Sequence, residues 1–340
     1  MSLADRWRKI YFLTPTFRPV GGVVKIFDYV NHAGALGLEA VICCPEPFKE
    51  DLPLFRISRF SGISPEMGFR FVDPENVSVG PHDLAFLSWP TQYEILGPRL
   101  SRWTHHEQVI CIVQNVRWAN PTFTNGYAIR LLSRPMARIM TNGVVLEAVG
   151  PYLNERSMTE IIDLGHDTAF FARERTGGPG PRIRVAYTTW KSDVGDRVAG
   201  RVRDPAFEFR AIRNPVGWEE LRELYHWADV FLATPLVEEG FYLPGLEAMA
   251  AGAIVLSSDA GGNRAYCEFD ENCMRVEFDD PSSYVEVLLS LRTADPAKLD
   301  RMRQRGYETT ERHTLSREKV YFGAFLERLT KRLDVLGPRL

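Results

Sequence analysis

The segment EGFYLPGLEAMA, from Glu239 to Ala250, is the most informative part of the sequence for predicting the fold. The apolar run DVFLA (Asp229–Ala233) before it is typical of a strand, and the residues after Pro244 favour a helix. The order strand, loop, acid, turn and helix indicates a βα unit of a parallel sheet. Such a turn directs free backbone N–H groups and the positive end of a helix dipole toward a bound anion.

Two carboxylates, Glu239 and Glu247, bracket this turn. Carboxylate oxygens accept hydrogen bonds from hydroxyl groups, and backbone N–H groups at the turn suit a phosphate. The stretch therefore predicts a binding site for a nucleotide sugar. Two solvated acids, one of them favouring a helix N-terminus, would show the same spacing. The prediction of a binding site therefore depends on the neighbouring strand, turn and helix.

The rest of the chain alternates β-rich and helical segments, which predicts a parallel α/β architecture. Continuous apolar runs suit strands that are covered on both faces. Helices are predicted at Val23–Leu36 and Arg317–Leu336. Further strands are predicted at Ile10–Thr14, Ala40–Cys44, Leu84–Ser88, Val109–Val113, Arg138–Thr141, Arg182–Tyr187, Phe207–Ile212 and Ile254–Ser258.

The clearest interruption is TGGPGP, residues 176–181, which contains no helix or strand former. A chain of 340 residues also suits two domains better than one. We therefore predict a first domain over 1–170, a linker over 171–181 and a second domain over 182–316. The C-terminal helix, 317–340, is expected to pack back on the first domain.

Composition limits the classes of partner. The net charge of -3 gives no general attraction to nucleic acid, and no apolar run approaches the length of a membrane span. The first residues lack the apolar centre of a signal peptide. Five cysteines without a Cys-x-x-Cys pair predict neither disulfides nor a zinc site. These observations predict a cytoplasmic protein.

Several segments resemble the retaining glycosyltransferases of family GT4, which have the GT-B fold. The likeness rests on Glu239–Met249, with LYHWADV (residues 224–230) before it and Gly252 and Gly261-Gly262 after it. Gly21-Gly22 and the stretch Ile161–Phe170 are similar to further family segments. The resemblance implies two Rossmann-like domains facing across a cleft. It also implies a hexosyltransferase-type enzyme that uses a nucleoside-diphosphate sugar and a hydroxyl acceptor, without a metal or other cofactor.

The resemblance also implies roles for individual residues. Glu247 would bind the ribose hydroxyls of the donor, and Glu239 would hold the transferred sugar. Lys191 would neutralise the leaving diphosphate. Backbone groups of the donor-binding residues would approach the donor closely, and these residues are Gly21, Gly22, Gly240, Phe241, Tyr242 and Leu243.

Two positions depart from the family pattern. Ala186 stands where the family carries an arginine, so Arg197 or Arg18 is a candidate replacement for its charge. Tyr242 stands where the family has glycine, and its ring is expected to crowd or stack against the donor pocket. Lys25, near Gly21-Gly22, is a further candidate charge partner, with a surface role as the alternative.

Residues outside the motif suggest where an acceptor binds. Gln114 and Asn115 follow a strand and suit contact with a sugar acceptor, with strand-end hydrogen bonding as the alternative. The pair His105-His106 suits a surface or capping role better than the active site. Arg130 and Arg134 lie in a short amphipathic stretch that favours an ordinary solvated helix face, with weak contact with an anionic membrane as the alternative. The oligomeric state is not predicted.

Other functions remain open from the sequence. A nucleotide-sugar epimerase, a hydrolase or a phosphorylase would keep the same fold, and so would a non-catalytic nucleotide-sugar-binding protein. The missing arginine at Ala186 favours the last of these. A nicotinamide-dependent dehydrogenase is disfavoured because Gly21-Gly22 lacks the Gly-x-Gly-x-x-Gly spacing.

Overall fold

The computed structural model describes residues 2–45, 53–64, 69–178 and 180–337. Pro179 of the predicted linker and residues 338–340 of the predicted C-terminal helix therefore lie outside the described residues. The chain divides into two compact units. The first contains Met1–Asp163 and Ser316–Leu340, and the second contains Leu164–Leu315.

The first unit is built on a seven-stranded parallel sheet with the order β3-β2-β1-β4-β5-β6-β7. Apolar side chains cover both faces of its central strands, as the continuous apolar runs predicted. The strands are β1 (Lys9–Leu13), β2 (Glu39–Cys43), β3 (Phe71–Val72), β4 (Asp83–Leu87), β5 (Val109–Val113), β6 (Ala137–Met140) and β7 (Thr159–Ile161). Its helices before the second unit are α1 (Leu3–Arg6), α2 (Gly21–Ala35), α3 (Pro90–Leu96), α4 (Tyr127–Leu132) and α5 (Gly143–Val149).

The second unit is built on a five-stranded parallel sheet with the order β12-β11-β10-β8-β9. Its strands are β8 (Ile183–Thr188), β9 (Phe207–Ile212), β10 (Val230–Ala233), β11 (Ile254–Ser258) and β12 (Met274–Val276). Its helices are α6 (Thr168–Phe171), α7 (Val194–Arg201), α8 (Trp218–Trp227), α9 (Leu243–Ala250), α10 (Pro281–Ser290) and α11 (Pro296–Arg312). Both units are therefore parallel α/β folds.

The Gly/Pro-rich segment predicted as a linker lies inside the second unit. Arg175 donates to the carbonyl of Ala251 at 3.1 Å and pairs with Asp229 at 3.0 Å. Tyr307 of α11 accepts from the backbone N–H of Arg175 at 2.9 Å, and Arg303 donates to the carbonyl of Gly177. These contacts attach the segment to the residue after α9, to the residue before β10 and to α11. The division between the units falls earlier, after Asp163.

The last helix, α12 (Leu315–Leu336), packs within the first unit from Ser316 onward. Its Phe322 ring lies edge-on to Tyr29 of α2, with 4.8 Å between ring centroids. The Glu318 carboxylate forms a buried ion pair with Lys25 of α2 at 2.9 Å and lies 2.9 Å from the His32 Nε2. Hydrophobic contact and buried charge together join the two ends of this discontinuous unit.

Two further properties concern environment rather than topology. Within the described part of the chain, no helix combines the length and apolar character needed to span a bilayer. The five cysteines are buried as free thiols: Cys43, Cys44, Cys111, Cys267 and Cys273.

Candidate active site

The second sheet places Lys191 and Glu239 together. Strands β8 and β10 are neighbours, with β9 on one side and β11 and β12 on the other, so the strand order reverses between them. Ligands of open parallel sheets bind beyond the carboxyl ends of the strands at such a reversal. Lys191 follows β8, Glu239 follows β10, and the Lys191 Nζ forms an ion pair with the Glu239 Oε1. The carboxylate of Glu239 is nearly buried, whereas 38% of the Lys191 side chain is exposed.

Tyr242 supports this ion pair from inside the core. The Lys191 ammonium lies 5.3 Å from the centre of the Tyr242 ring, within range of a cation–π interaction. The ring is 1% exposed, and its hydroxyl accepts a hydrogen bond from the backbone N–H of Thr234 at 3.4 Å. Burial raises the pKa of the phenol, which stays protonated at neutral pH. The ring packs in the core of the second unit, and its expected contact with the donor pocket stays a prediction.

The turn before α9 rests on closely packed glycines. A Cβ atom on Gly262 would overlap the backbone of Glu239, and one on Gly245 would overlap the hydroxyl of Tyr266. That hydroxyl donates to the carbonyl of Tyr242 at 2.6 Å. These contacts hold the backbone of Gly240, Phe241, Tyr242 and Leu243 in place at the start of α9.

The backbone N–H groups at the N-terminus of α9 can donate hydrogen bonds to a ligand. Tyr242 is its N-cap residue, Leu243 is its first residue, and no side chain of the described residues caps it. Unpaired amides at a helix start, together with the helix dipole, favour a negatively charged group. Lys191 lies at the same end of the sheet, so positive charge and amide donors are concentrated there.

Glu247 has buried protein partners. One carboxylate oxygen contacts the His166 Nε2 at 2.8 Å, and the other accepts a hydrogen bond from the Tyr225 hydroxyl at 2.9 Å. Glu247 is 4% exposed, and His166 is 1% exposed. The sequence did not predict either contact, because His166 lies 81 residues and Tyr225 lies 22 residues from Glu247 along the chain. No local pattern marks Tyr225, which has the apolar spacing of an ordinary core residue of α8.

Arg197 of the second unit and Arg18 of the first unit are the candidate replacements for the arginine missing at Ala186. Ala186 is fully buried within β8. Arg197 of α7 pairs with Asp193 at 3.0 Å and also with Asp279, so its charge is already balanced. Arg18 is exposed and belongs to the first unit.

The first unit brings Gly21-Gly22 and Gln114 together. The two glycines begin α2 directly after the β1 loop, and the Gln114 Nε2 donates to the carbonyl of Gly22 at 3.2 Å. Gln114 and Asn115 follow β5, so they lie at the carboxyl end of the sheet. The side chain of Asn115 accepts a hydrogen bond from the backbone N–H of Arg117 at 2.9 Å.

The structure separates other candidates from this edge. Lys25 is 2% exposed and pairs with Asp28 at 3.1 Å and with Glu318, so it is neither a surface lysine nor a charge partner of the glycine pair. His105 precedes β5, and its ring accepts a hydrogen bond from the backbone N–H of Glu107 at 3.2 Å. His106 also precedes this strand, and its Nδ1 lies 3.3 Å from the Tyr93 hydroxyl.

The short basic stretch at α4 is divided between core and surface. Leu131 and Leu132 are buried in the core, whereas Arg130 and Arg134 are exposed. The leucines of this stretch therefore contribute no exposed apolar face.

The comparisons with known proteins agree with the fold. Residues 197–293 match the family model described as Glycosyl transferases group 1, a segment that includes both Glu239 and Glu247. No curated protein matches the sequence. The predicted likeness to glycosyltransferases is thus confirmed over the matched segment.

Solved structures match nearly the whole chain. HepE of Anabaena, solved in complex with UDP and glucose, is 12% identical, with a TM-score of 0.71 over 94% of this chain and 99% of that chain. Sucrose-phosphate synthase of Thermosynechococcus elongatus is 13% identical, with a TM-score of 0.71 over 96% of this chain and 100% of that chain. A glycosyltransferase of Rickettsia africae is 10% identical, with a TM-score of 0.68 over 96% of this chain and 100% of that chain. These likenesses confirm the predicted GT-B fold.

Proposed function

We propose that the protein is a retaining glycosyltransferase of the GT4 type, which moves a sugar from a nucleoside-diphosphate donor to a hydroxyl acceptor. The observation that carries this proposal is the Lys191–Glu239 pair at the strand-order reversal of the second sheet. The matched family model and the Anabaena structure with UDP and glucose support the same class of donor.

The ion pair suits the charge changes of the reaction. A departing diphosphate develops negative charge, which the Lys191 ammonium and the amides at the start of α9 would stabilise. The donor diphosphate would compete with Glu239 for Lys191. Glu239 would then accept hydrogen bonds from hydroxyls of the transferred sugar. Because Tyr242 lies beneath Lys191, the ammonium keeps a favourable contact during this exchange.

The proposed reaction exchanges one bond at the anomeric carbon for another. The acceptor oxygen bonds to that carbon as its bond to the phosphate oxygen breaks. The acceptor proton passes to the departing diphosphate on the same face, so the anomeric configuration is retained. Protein groups would supply position and electrostatic stabilisation.

Glu247 is proposed to bind the ribose of the donor. Its two carboxylate oxygens each have one protein partner, and each can accept a second hydrogen bond. His166 and Tyr225 would keep the carboxylate in one orientation before the ribose arrives, which lowers the entropy cost of binding.

The decisive experiment combines donor binding with turnover. A thermal-shift panel of UDP-, GDP- and ADP-sugars would identify the donor, since a ligand at about a hundred times its Kd stabilises by roughly 2.7 kcal/mol. Glu239→Gln should then weaken donor binding and transfer, whereas Glu238→Gln, an exposed acid one position earlier, should leave both unchanged. Full donor binding and turnover in Glu239→Gln would refute the site.

A non-catalytic nucleotide-sugar-binding protein is the second candidate, because the uncharged Ala186 stands where the family carries an arginine. Incubation with donor alone separates the alternatives. An epimerase would release the epimer, a hydrolase would release free sugar, and a binding protein would leave the donor intact with or without acceptors. A transferase forms a glycoside only when an acceptor is added.

A further inference from the structure

The sheet of the first unit has its own reversal of strand order. Strand β1 lies between β2 and β4, with β3 beyond β2 and β5 to β7 beyond β4. The carboxyl ends of β1 and β4 therefore flank a second position at which parallel sheets bind ligands. Gly22 follows β1, Ser88 and Trp89 follow β4, and Gln114 reaches the carbonyl of Gly22 from the end of β5.

Two polar groups at this edge are buried and have no hydrogen-bond partner among the residues that the structure describes. The Ser88 Oγ and the Arg117 Nε make no hydrogen bond within the described part of the chain. Ser88 is 5% exposed, so its hydroxyl is shielded from bulk water. A buried polar group left unpaired costs about 1–3 kcal/mol. Such groups in native structures call for an explanation, and a ligand that pairs with them provides one.

Arg117 also carries a charge for which the described residues provide no ion pair. None of the ion pairs among the described residues involves its guanidinium. The guanidinium carbon lies 5.9 Å from the ring centre of Phe123, so its contact there is with an aromatic face. A planar guanidinium on an aromatic ring keeps its donors available for a phosphate or carboxylate.

Phe123 connects Arg117 to an exposed indole. The ring centres of Trp89 and Phe123 are 6.5 Å apart, and 40% of Trp89 is exposed. An exposed aromatic face accepts the apolar face of a sugar ring, and sites of this kind combine aromatic walls with a few polar groups. This surface thus combines a guanidinium suited to an anion, from Arg117, with the aromatic rings of Phe123 and Trp89, on which a sugar could stack.

We propose that Trp89, Phe123, Arg117, Ser88 and Gln114 form the acceptor site, and that the acceptor is a sugar carrying an anionic group. This proposal rests on the proposed transferase function. The sugar ring stacks on Trp89, its phosphate or carboxylate pairs with Arg117, and its hydroxyls bond to Ser88 and Gln114. The acidic group and the ring face together define the substrate class.

Calorimetric titration without donor tests this site. The probes are glucose 6-phosphate, fructose 6-phosphate, glucuronate and galacturonate, with glucose, fructose, galactose and inorganic phosphate for comparison. At least one anionic sugar should bind about tenfold tighter than its neutral counterpart and than inorganic phosphate. A tighter phosphosugar or a tighter uronate would identify the acidic group. Equal binding of every charged and neutral pair, or no binding of any anionic sugar, would overturn the proposal.

Substitutions test whether the preference for anionic sugars arises at this site. Arg117→Gln should remove the preference for the anionic sugar, Arg117→Lys should restore part of it, and Arg130→Gln, which alters an exposed arginine of α4, should leave it intact. Trp89→Ala should lower the binding affinity for charged and neutral sugars by the same factor. An unchanged preference in folded Arg117→Gln, checked by circular dichroism, would refute the assignment. Donor binding is measured separately on the unaltered protein by thermal shift. If only the acceptor proposal is wrong, the nucleotide sugar still raises the melting temperature.

Discussion

At the scale of single residues, the contact between Lys191 and Glu239 combines a nearly buried carboxylate with a partly exposed ammonium. Since Lys191 is accessible to solvent, the pair contributes little to stability through charge alone. In the proposed reaction, the ammonium would turn from Glu239 to the donor phosphate and stay beside the Tyr242 ring.

Lys191→Gln should therefore reduce turnover far more than stability. Removing one preorganised donor to a developing negative charge typically lowers kcat by about 10²–10³-fold. The melting temperature should shift little. Lys298→Gln, which alters an exposed lysine of α11, is the matched control. Steady-state kinetics with the donor found in the thermal-shift panel provides the measurement, and wild-type kcat in Lys191→Gln would contradict the role of this lysine.

Two substitutions of Tyr242 distinguish the contribution of ring packing to stability from that of its hydrogen bond. Tyr242→Phe keeps the buried ring and loses the contact with the Thr234 N–H, so we expect a loss of about 1 kcal/mol in the free energy of unfolding. Tyr242→Ala removes the ring from the core and should cost about 3–5 kcal/mol. Urea denaturation measures both values. Equal losses in the two variants would show that the ring does not pack as described.

At the scale of elements, a buried charge cluster joins α12 to α2. Glu318 accepts from Lys25 and contacts His32, and Asp28 pairs with Lys25 and Arg59. Burial by itself raises the pKa of Asp28, but the charges of Lys25 and Arg59 outweigh it and lower this pKa. The cluster thus holds ionised groups inside the first unit only because each has a partner.

Glu318→Gln should be strongly destabilising, because it leaves Lys25 buried without its full counter-charge. Breaking a buried ion pair from one side costs about 3–5 kcal/mol. Glu327→Gln changes an exposed acid of the same helix and should stay within about 0.5 kcal/mol. Chemical denaturation compares the two variants, and a similar small effect in both would indicate that the cluster tolerates water.

Asp229 is a second carboxylate with charged partners, and it connects the predicted linker to β8. Its carboxylate pairs with Arg175 at 3.0 Å and with Arg184 at 2.7 Å. Burial raises the pKa of Asp229, but hydrogen bonds from Arg184 and the charges of both arginines outweigh it and lower this pKa.

The stability that Asp229 contributes should therefore depend on pH. A lowered folded-state pKa adds stability that is fully present above the unfolded pKa, about 3.9 for Asp, and is lost as the pH falls through the folded value. The difference in Tm between wild type and Asp229→Asn should be constant from pH 7 to 5 and shrink below about pH 4. A difference that grows toward acid pH would reverse the assigned sign.

At the scale of the whole molecule, the chain forms one discontinuous and one continuous unit. The first unit is completed by α12, whose Phe322, Phe325, Leu326 and Leu329 are fully buried. Arg332 of this helix also pairs with Glu107 at 2.6 Å. The second unit, Leu164–Leu315, ends where α12 enters the first.

Truncation after Leu315 should therefore affect the two units differently. Hydrogen exchange of the truncated chain should lose protection in β1 and β4, because the first unit exposes the core that α12 covers. Protection in β8 and β10 should persist, because the second unit retains all of its residues. Equal loss of protection in both sheets would show that the second unit does not fold without the first.

The amino-acid sequence alone predicted the parallel α/β class, because continuous apolar runs and βα turns are local signals. The runs at Val109–Val113, Phe207–Ile212 and Ile254–Ser258 coincide with β5, β9 and β11. The edge strands β3, β7 and β12 were not predicted, since two or three residues carry no measurable periodicity. The order of acid, turn and helix at Glu239–Ala250 likewise predicted the start of α9.

The contacts of these residues follow from the folded chain and could not be predicted from the sequence. The sequence shows Lys191 and Glu239 as separate charges, and the adjacency of β8 and β10 makes them a pair. His166 and Tyr225 meet Glu247 through packing that no local pattern encodes. The direction of the Tyr242 ring is also a tertiary result. Local propensity depends on neighbours along the chain, whereas contacts across a sheet depend on strand order, which the whole hydrophobic core selects.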